Sequence, residues 1–253
     1  MGNSDAKWDL RSACAGDEVV AVWTVHLAQP PAVVARGGSL LSPDEQARAA
    51  RFHFDRDREH FIVARAALRL ILGECLGAEP ATLRFSYSSA GKPSLATGPG
   101  RALAFNLSHS HELALVAVTG GRTVGVDVEH ARDVPELADI ARRFFSPREA
   151  AALLARPAAE QPADFLRCWT RKEAYLKARG EGIVAGLDRF DVSFLPGEAP
   201  TLLRTLDDPG EAARWTLLDL TPAPGYAAAV AVRGGSARLV RLTLAWPAAY
   251  VSG

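Results

Sequence analysis

Residues 144–156 read FFSPREAAALLAR, and residues 40–52 read LLSPDEQARAARF, with Ser146 standing 104 positions after Ser42. Both put Ser before Pro and follow the pair with acidic residues. That is the chemistry of a helix start. Ser caps the first free amides, Pro sits where no N–H is needed, and carboxylates favour the positive end of the helix dipole. Ahead of each start lies a β-rich run, VVAVWTVHL (19–27) and VGVDVEH (124–130). After each comes a second helical stretch, EHFIVARAALRLILGECLG (59–77) and PADFLRCWTRKEAYLKARG (162–180). Three strand-like segments then follow in each case: LRFSY, ALAFNLS and ELALVAVT, and later RFDVSFL, RWTLLDL and YAAAVAV. The sequence therefore predicts an α+β pseudo-dimer of two similar halves, residues 1–121 and 122–253, hinged at Gly120-Gly121. Each half is expected to hold one strand, two helices and a three-stranded meander, its small antiparallel sheet packed against its own helices. A ligand cleft is expected between the halves.

Composition narrows the function. The 253 residues are 48% hydrophobic and 23% charged, as in an ordinary globular chain. With 29 basic and 29 acidic residues the net charge is +0, which argues against a general nucleic-acid binder. Cys14, Cys75 and Cys168 are an odd number, widely spaced and without a CxxC pair. That argues against a disulfide framework or a cysteine zinc site and fits a reducing cytoplasm. The start MGNSDAKWDLRS lacks the apolar run of a signal peptide. No stretch approaches the roughly 20 apolar residues of a membrane span.

Within VGVDVEH, Asp127 and Glu129 interrupt a valine-rich strand. In a strand they share a face, about 6–7 Å apart. Two ionised carboxylates there repel by roughly 2–3 kcal/mol at an effective dielectric near 20. The chain can expose them, protonate one, or place a cation between them. On the later helix, Glu173 and Lys177 are one turn apart, either a solvated surface pair or part of a site. In AFNLSHSHELALVAV, Ser108 and His109 fall where a strand gives way to a turn, and His109 and His111 have the spacing of a metal pair. SSAGKPSLA presents Lys92 on a Gly-Lys-Pro turn. The segment 46–69 carries Arg48, Arg51, Arg56, Arg58, Arg65 and Arg69 against three acids, either a solvated helix surface or a phosphate cradle of Arg forks.

Taken together, GKPSLA, FNLSHS, VGVDVEH, FSPREAAAL and WTRKEAYLKARGEG occur in the order and at the intervals of a known family. From about residue 40 to 185 the chain resembles the surfactin-type 4′-phosphopantetheinyl transferases, marked by a (V/I)G(V/I)D(V/I)E strand and a W-x-x-K-E-A-x-x-K helix. The resemblance implies an enzyme that moves the phosphopantetheine arm of coenzyme A onto a serine of an acyl- or peptidyl-carrier protein, releasing adenosine 3′,5′-bisphosphate. It also implies two similar halves with the site between them. The duplication, which puts both sides of the site in one chain, favours a monomer, and the composition a cytoplasmic protein. Asp127, Glu129 and Glu173 match the family's metal-binding acids, for Mg²⁺ with Mn²⁺ as a substitute. Glu173 and Lys177 match groups at the reacting centre. Lys92, Ser108 and His109 match residues that hold the nucleotide, and Lys172 matches a lysine near the pyrophosphate. Arg48, Arg51 and Arg65 lie where the family grips phosphates, and Glu149 matches a recurrent site acid. Two other readings of the same residues are a zinc hydrolase built on His109, His111, Asp127 and Glu129, and a CoA-binding module without catalysis.

Overall fold

Ser42 and Ser146 both begin helices. The Glu45 carboxylate accepts from the Ser42 amide at 3.0 Å. At the later start Glu149 accepts from the Ser146 amide at 3.0 Å, and the Ser146 hydroxyl accepts from the Glu149 amide at 3.2 Å. This reciprocal arrangement satisfies donors that the helix itself cannot. The structure, a computed structural model, describes Cys14, Gly16 and residues 18–96, 103–132, 134–180 and 186–251. The N-terminal stretch read for a signal peptide, and Glu181 and Gly182 of the helix motif, lie outside the described residues.

The chain runs β1 (Val19–His26), α1 (Pro31–Leu40), α2 (Pro43–Ala49), α3 (Asp55–Leu76), β2 (Phe85–Tyr87), β3 (Pro93–Leu95), β4 (Ala104–Ser110) and β5 (Leu113–Thr119). It continues with β6 (Val124–His130), α4 (Leu137–Phe144), α5 (Pro147–Leu154), α6 (Gln161–Arg179), β7 (Phe190–Val192), β8 (Leu202–Thr205), β9 (Trp215–Leu220) and β10 (Tyr226–Arg233), and closes with β11 (Arg238–Thr243) and α7 (Ala248–Val251). The larger sheets have the orders β11-β1-β5-β4 and β6-β10-β9, and β2-β3 and β7-β8 form two-stranded ribbons. The fold is α+β.

Three features depart from the sequence expectation. Each stretch has three main helices instead of two, the additional ones being the short α1 and α4, of 10 and 8 residues. Each three-stranded meander is reduced to a hairpin, β4 with β5 and β9 with β10. The first segments, Phe85–Tyr87 and Phe190–Val192, pair locally with β3 and β8, and their places beside β5 and β10 are taken by β1 and β6. Apolar content marks these segments as strands but does not say which strand each one joins. Finally, β11 runs parallel to β1, with Val19 opposite Arg238 and Thr24 opposite Thr243, so the last strand completes the first sheet. Cys14 and Cys75 form a disulfide, a correction to the reading of the cysteines. Their 61-residue separation leaves no trace in local spacing. Cys168 is free and buried. No described helix is long and apolar enough to cross a membrane.

Strand alternation sorts the core into layers. Val20 and Val22 of β1 meet Val124, Val126 and Val128 of β6 and Val230 of β10 in a buried seam between the two larger sheets. The other faces pack against helices: Ala21, Trp23 and Val25 against α3, and Ala229 and Ala231 against α6. Gly121, with φ 93°, lies in the turn that carries the chain from one sheet to the other.

The tightest approach is at Gly125. A Cβ there would stand 2.2 Å from the Ala174 carbonyl oxygen and 2.3 Å from the Ala178 nitrogen. Both are backbone atoms of α6, which cannot swing aside. Gly125→Ala is expected to force the helix off the strand and cost about 3 kcal/mol or more, read as a lowered midpoint in urea denaturation. An unchanged midpoint would show that α6 has room to move.

Candidate active site

Because Val124, Val126 and Val128 turn into the seam, the intervening Gly125, Asp127 and Glu129 face α6. Asp127 is only 2% exposed and Glu173, arriving from α6, only 5%. The like-charged pair is therefore not resolved by solvation. Lys177 donates to Asp127 Oδ1 at 2.5 Å and to Ser108 Oγ at 2.8 Å, and Ser108 donates to Asp127 Oδ1 at 3.0 Å. Ser110 donates to Glu129 Oε2 at 2.9 Å and accepts from the His130 amide at 3.1 Å. Two buried carboxylate oxygens, Asp127 Oδ2 and Glu173 Oε1, have no hydrogen-bond partner.

Electrostatics follow from this crowding. Burial, then the neighbouring Asp127 charge, push the Glu173 pKa up to about 7 against the pull of Lys177. Burial also raises Asp127, outweighing Lys177 and Ser108. Glu129 is raised by burial and by Asp127. Among the described residues no group of three or more His, Cys, Asp or Glu side chains is arranged to hold a metal. The donors nonetheless suit a hard cation. Unpartnered carboxylate oxygens on Asp127 and Glu173, beside Glu129, are the ligand type that Mg²⁺ takes together with waters and substrate oxygens.

The other candidates divide into two groups. His109 is exposed beside the centre, and the protein around it and the cations Lys177, His60 and Arg48 hold its pKa below the usual value. Arg48 and Arg51 are exposed on the neighbouring helix turn. Arg48 stacks on Phe61 at 5.3 Å and lines a cleft of about 300 Å³ with Phe61, Arg65 and Tyr87. The remaining expected substrate contacts are engaged within the fold. Arg65 is buried and paired with Glu45. Lys172 is fully buried, donating to Leu187 O and Phe190 O and pairing with Glu149 at 2.7 Å. Glu149 also accepts from the Val192 amide at 2.8 Å, so it joins α5, α6 and β7 and lies away from Asp127. Lys92 donates to Val124 O at 3.1 Å and Ala178 O at 2.7 Å.

His111 does not join His109. It sits in the β4–β5 turn with φ 52° and stacks on His130 at 4.5 Å, which leaves the zinc reading without a ligand set. Sequence reasoning missed Asn106, whose Oδ1 accepts from the Val126 amide at 2.9 Å, and Ser110. The signal was present: Asn106, Ser108 and Ser110 alternate along a strand, so three polar side chains share one face.

A carboxylate whose pKa is raised on folding binds its proton more tightly in the folded state. The metal-free protein should therefore lose stability as pH rises from the unfolded Glu value, about 4.5, through about 7. Glu173→Gln should flatten that part of the melting-temperature profile measured in chelator. A variant whose profile is as steep as wild type would remove Glu173 as its source.

Comparison with known proteins agrees with this geometry. Residues 31–120 match the family model described as 4′-phosphopantetheinyl transferase, N-terminal, and residues 123–231 match that of the 4′-phosphopantetheinyl transferase superfamily. The chain is 44% identical over 216 residues to the 4′-phosphopantetheinyl transferase HetI of Nostoc sp., covering 85% of this chain and 88% of that protein. It is 30% identical over 154 residues to the 4′-phosphopantetheinyl transferase Sfp of Bacillus subtilis, covering 61% and 66%. A mouse L-aminoadipate-semialdehyde dehydrogenase-phosphopantetheinyl transferase is 30% identical over 164 residues, covering 60% and 53%. With carboxylates and a lysine converging beside the sheet seam, and the two matched regions meeting there, the chain belongs to the 4′-phosphopantetheinyl transferase superfamily.

Proposed function

We propose that this protein transfers 4′-phosphopantetheine from coenzyme A to a serine of an acyl- or peptidyl-carrier protein domain. The observation that carries the proposal is the acid centre of buried Asp127 and Glu173 and half-buried Glu129 with Lys177 among them, in a chain of this family. In the reaction the serine oxygen bonds to the β-phosphorus of CoA. The bond from that phosphorus to the bridging oxygen breaks, and adenosine 3′,5′-bisphosphate leaves.

Each side chain has a task that its surroundings suit. Glu173 places a carboxylate at the centre that can take the serine proton. Lys177 offers a charge on the phosphate side that is not buried in an apolar wall. Ser108 orients Asp127 and Lys177 by bonding to both. His109, Arg48 and Arg51 are exposed cations or donors suited to the nucleotide and its phosphates. Arg65, Lys172, Glu149 and Lys92 are left out of this set because their charges are already bonded inside the protein. Asp127, Glu129 and Glu173 would hold a divalent cation, Mg²⁺ or Mn²⁺, which when bound neutralises the pyrophosphate charge. The two similar runs of elements are read as two halves with the site in the cleft between them. One chain then supplies both sides of the site, which suits a monomer acting where CoA is made, in the cytoplasm.

Mass spectrometry of a carrier protein incubated with this protein, CoA and Mg²⁺ tests the proposal. The expected product carries one phosphopantetheine on its serine. Asp127→Asn should abolish the product, and Glu173→Gln should slow it by about 10²–10⁴-fold. A carrier that stays unmodified in the presence of folded wild-type protein would overturn the assignment.

A further inference from the structure

β6 is the outer strand of its sheet, so the backbone groups on its free edge need partners from elsewhere. They come from side chains of the other sheet and its ribbon. The Val126 amide meets Asn106, the His130 amide meets Ser110, and Val124 O meets Lys92. Lys92 also reaches Ala178 O, at 2.7 Å. That carbonyl lies in the last turn of α6, where the helix supplies it no donor. The lysine is held out to do this. In the β2–β3 turn, Ser88 N donates to Lys92 O at 3.0 Å, Gly91 N to Ser88 O at 2.9 Å, and Lys92 N to Ser88 Oγ at 3.1 Å. Its stem runs against Gly180, the α6 cap, where an added Cβ would lie 3.4 Å from Lys92 Cδ.

We propose that Lys92 is a positioning residue that fastens the end of α6 to the start of β6, and in doing so sets the contact between Lys177 and Asp127. Ala178 follows Lys177 directly, and Val124 lies three residues before Asp127. One ammonium therefore bridges the two elements that carry the charged pair. Its environment is made of carbonyl oxygens without a carboxylate among the groups it bonds. Burial accordingly lowers its pKa to about 8. A group whose task was to hold a phosphate would present its ammonium outward to the ligand. This one points it into the seam.

The inference rests on the transfer reading in one arm of its test and is independent of it in the other. In the full chain without CoA, Lys92→Met is expected to speed amide exchange over residues 176–180 by about tenfold or more while leaving β1 and β5 unchanged. In transfer assays kcat should fall by roughly 10²-fold, equally with CoA and with dephospho-CoA. The KM for CoA should move by less than about threefold. Lys92→Arg, which still has donors for both carbonyls, should recover most of the rate. If Lys92→Met does not fold, Lys92→Gln serves for the same comparison. Unchanged exchange at the end of α6, or a loss seen with CoA and absent with dephospho-CoA, overturns the proposal, the second result pointing to a 3′-phosphate contact. If wild type transfers nothing, the functional reading fails and the exchange measurement alone decides the clamp.

Discussion

Helix α6 lies so close to strand β6 that position 125 has no room for a side chain. Everything at the candidate site depends on this contact. The closest neighbours are backbone atoms of Ala174 and Ala178, so the helix is seated main chain to main chain, with small residues on both sides. At that distance a glutamate and a lysine one turn apart on the helix are brought directly over the acids of the strand. With an ordinary side-chain layer between them, Lys177 could not bond Asp127 and Ser108 at once. The charge cluster is thus a product of steric smallness two residues away from it.

The same proximity makes the centre electrostatically uneasy. Three carboxylates share a poorly solvated space with one lysine, and burial, joined at Glu129 and Glu173 by the Asp127 charge, raises their affinity for protons. Such a site is destabilised until positive charge arrives. A protein selected for stability alone would replace one acid with an apolar residue at little cost. Buried Asp127 and Glu173 each keep an unpartnered oxygen beside half-buried Glu129, which is the mark of a binding centre.

Much of this was legible in the sequence, and the boundary of legibility has a physical form. The helix starts at Ser42 and Ser146 were readable because capping is local chemistry, complete within four residues. Asp127 and Glu129 were readable because charges in an apolar strand need a reason, and Glu173 and Lys177 through the family motif that carries them. Lys172 was misplaced because it adjoins Glu173 in sequence while a helix turns about 100° per residue. In a helix buried on nearly every side, that rotation sends it to Glu149 on the far face. Lys92 and Glu149 show the same limit. The sequence shows that a charge exists but not which distant carbonyl or cation will neutralise it. The pairing of β11 with β1, and the departure of β2 and β7 from the meanders, were hidden for a related reason: strand identity is local, strand partnership is not.

The return of β11 to β1 has a consequence for how the protein is made. The first sheet needs a strand from the far end of the chain, beyond Arg238, although β1, β5 and β4 are complete by Thr119. At a synthesis rate of ~5–20 residues per second, the intervening stretch takes roughly 6–24 s to emerge. Throughout that interval the valine-rich β1 has one edge unpaired, and such an edge is a template for pairing with another chain. Vectorial synthesis therefore leaves the nascent chain with a sticky intermediate that closes only once β11 has emerged.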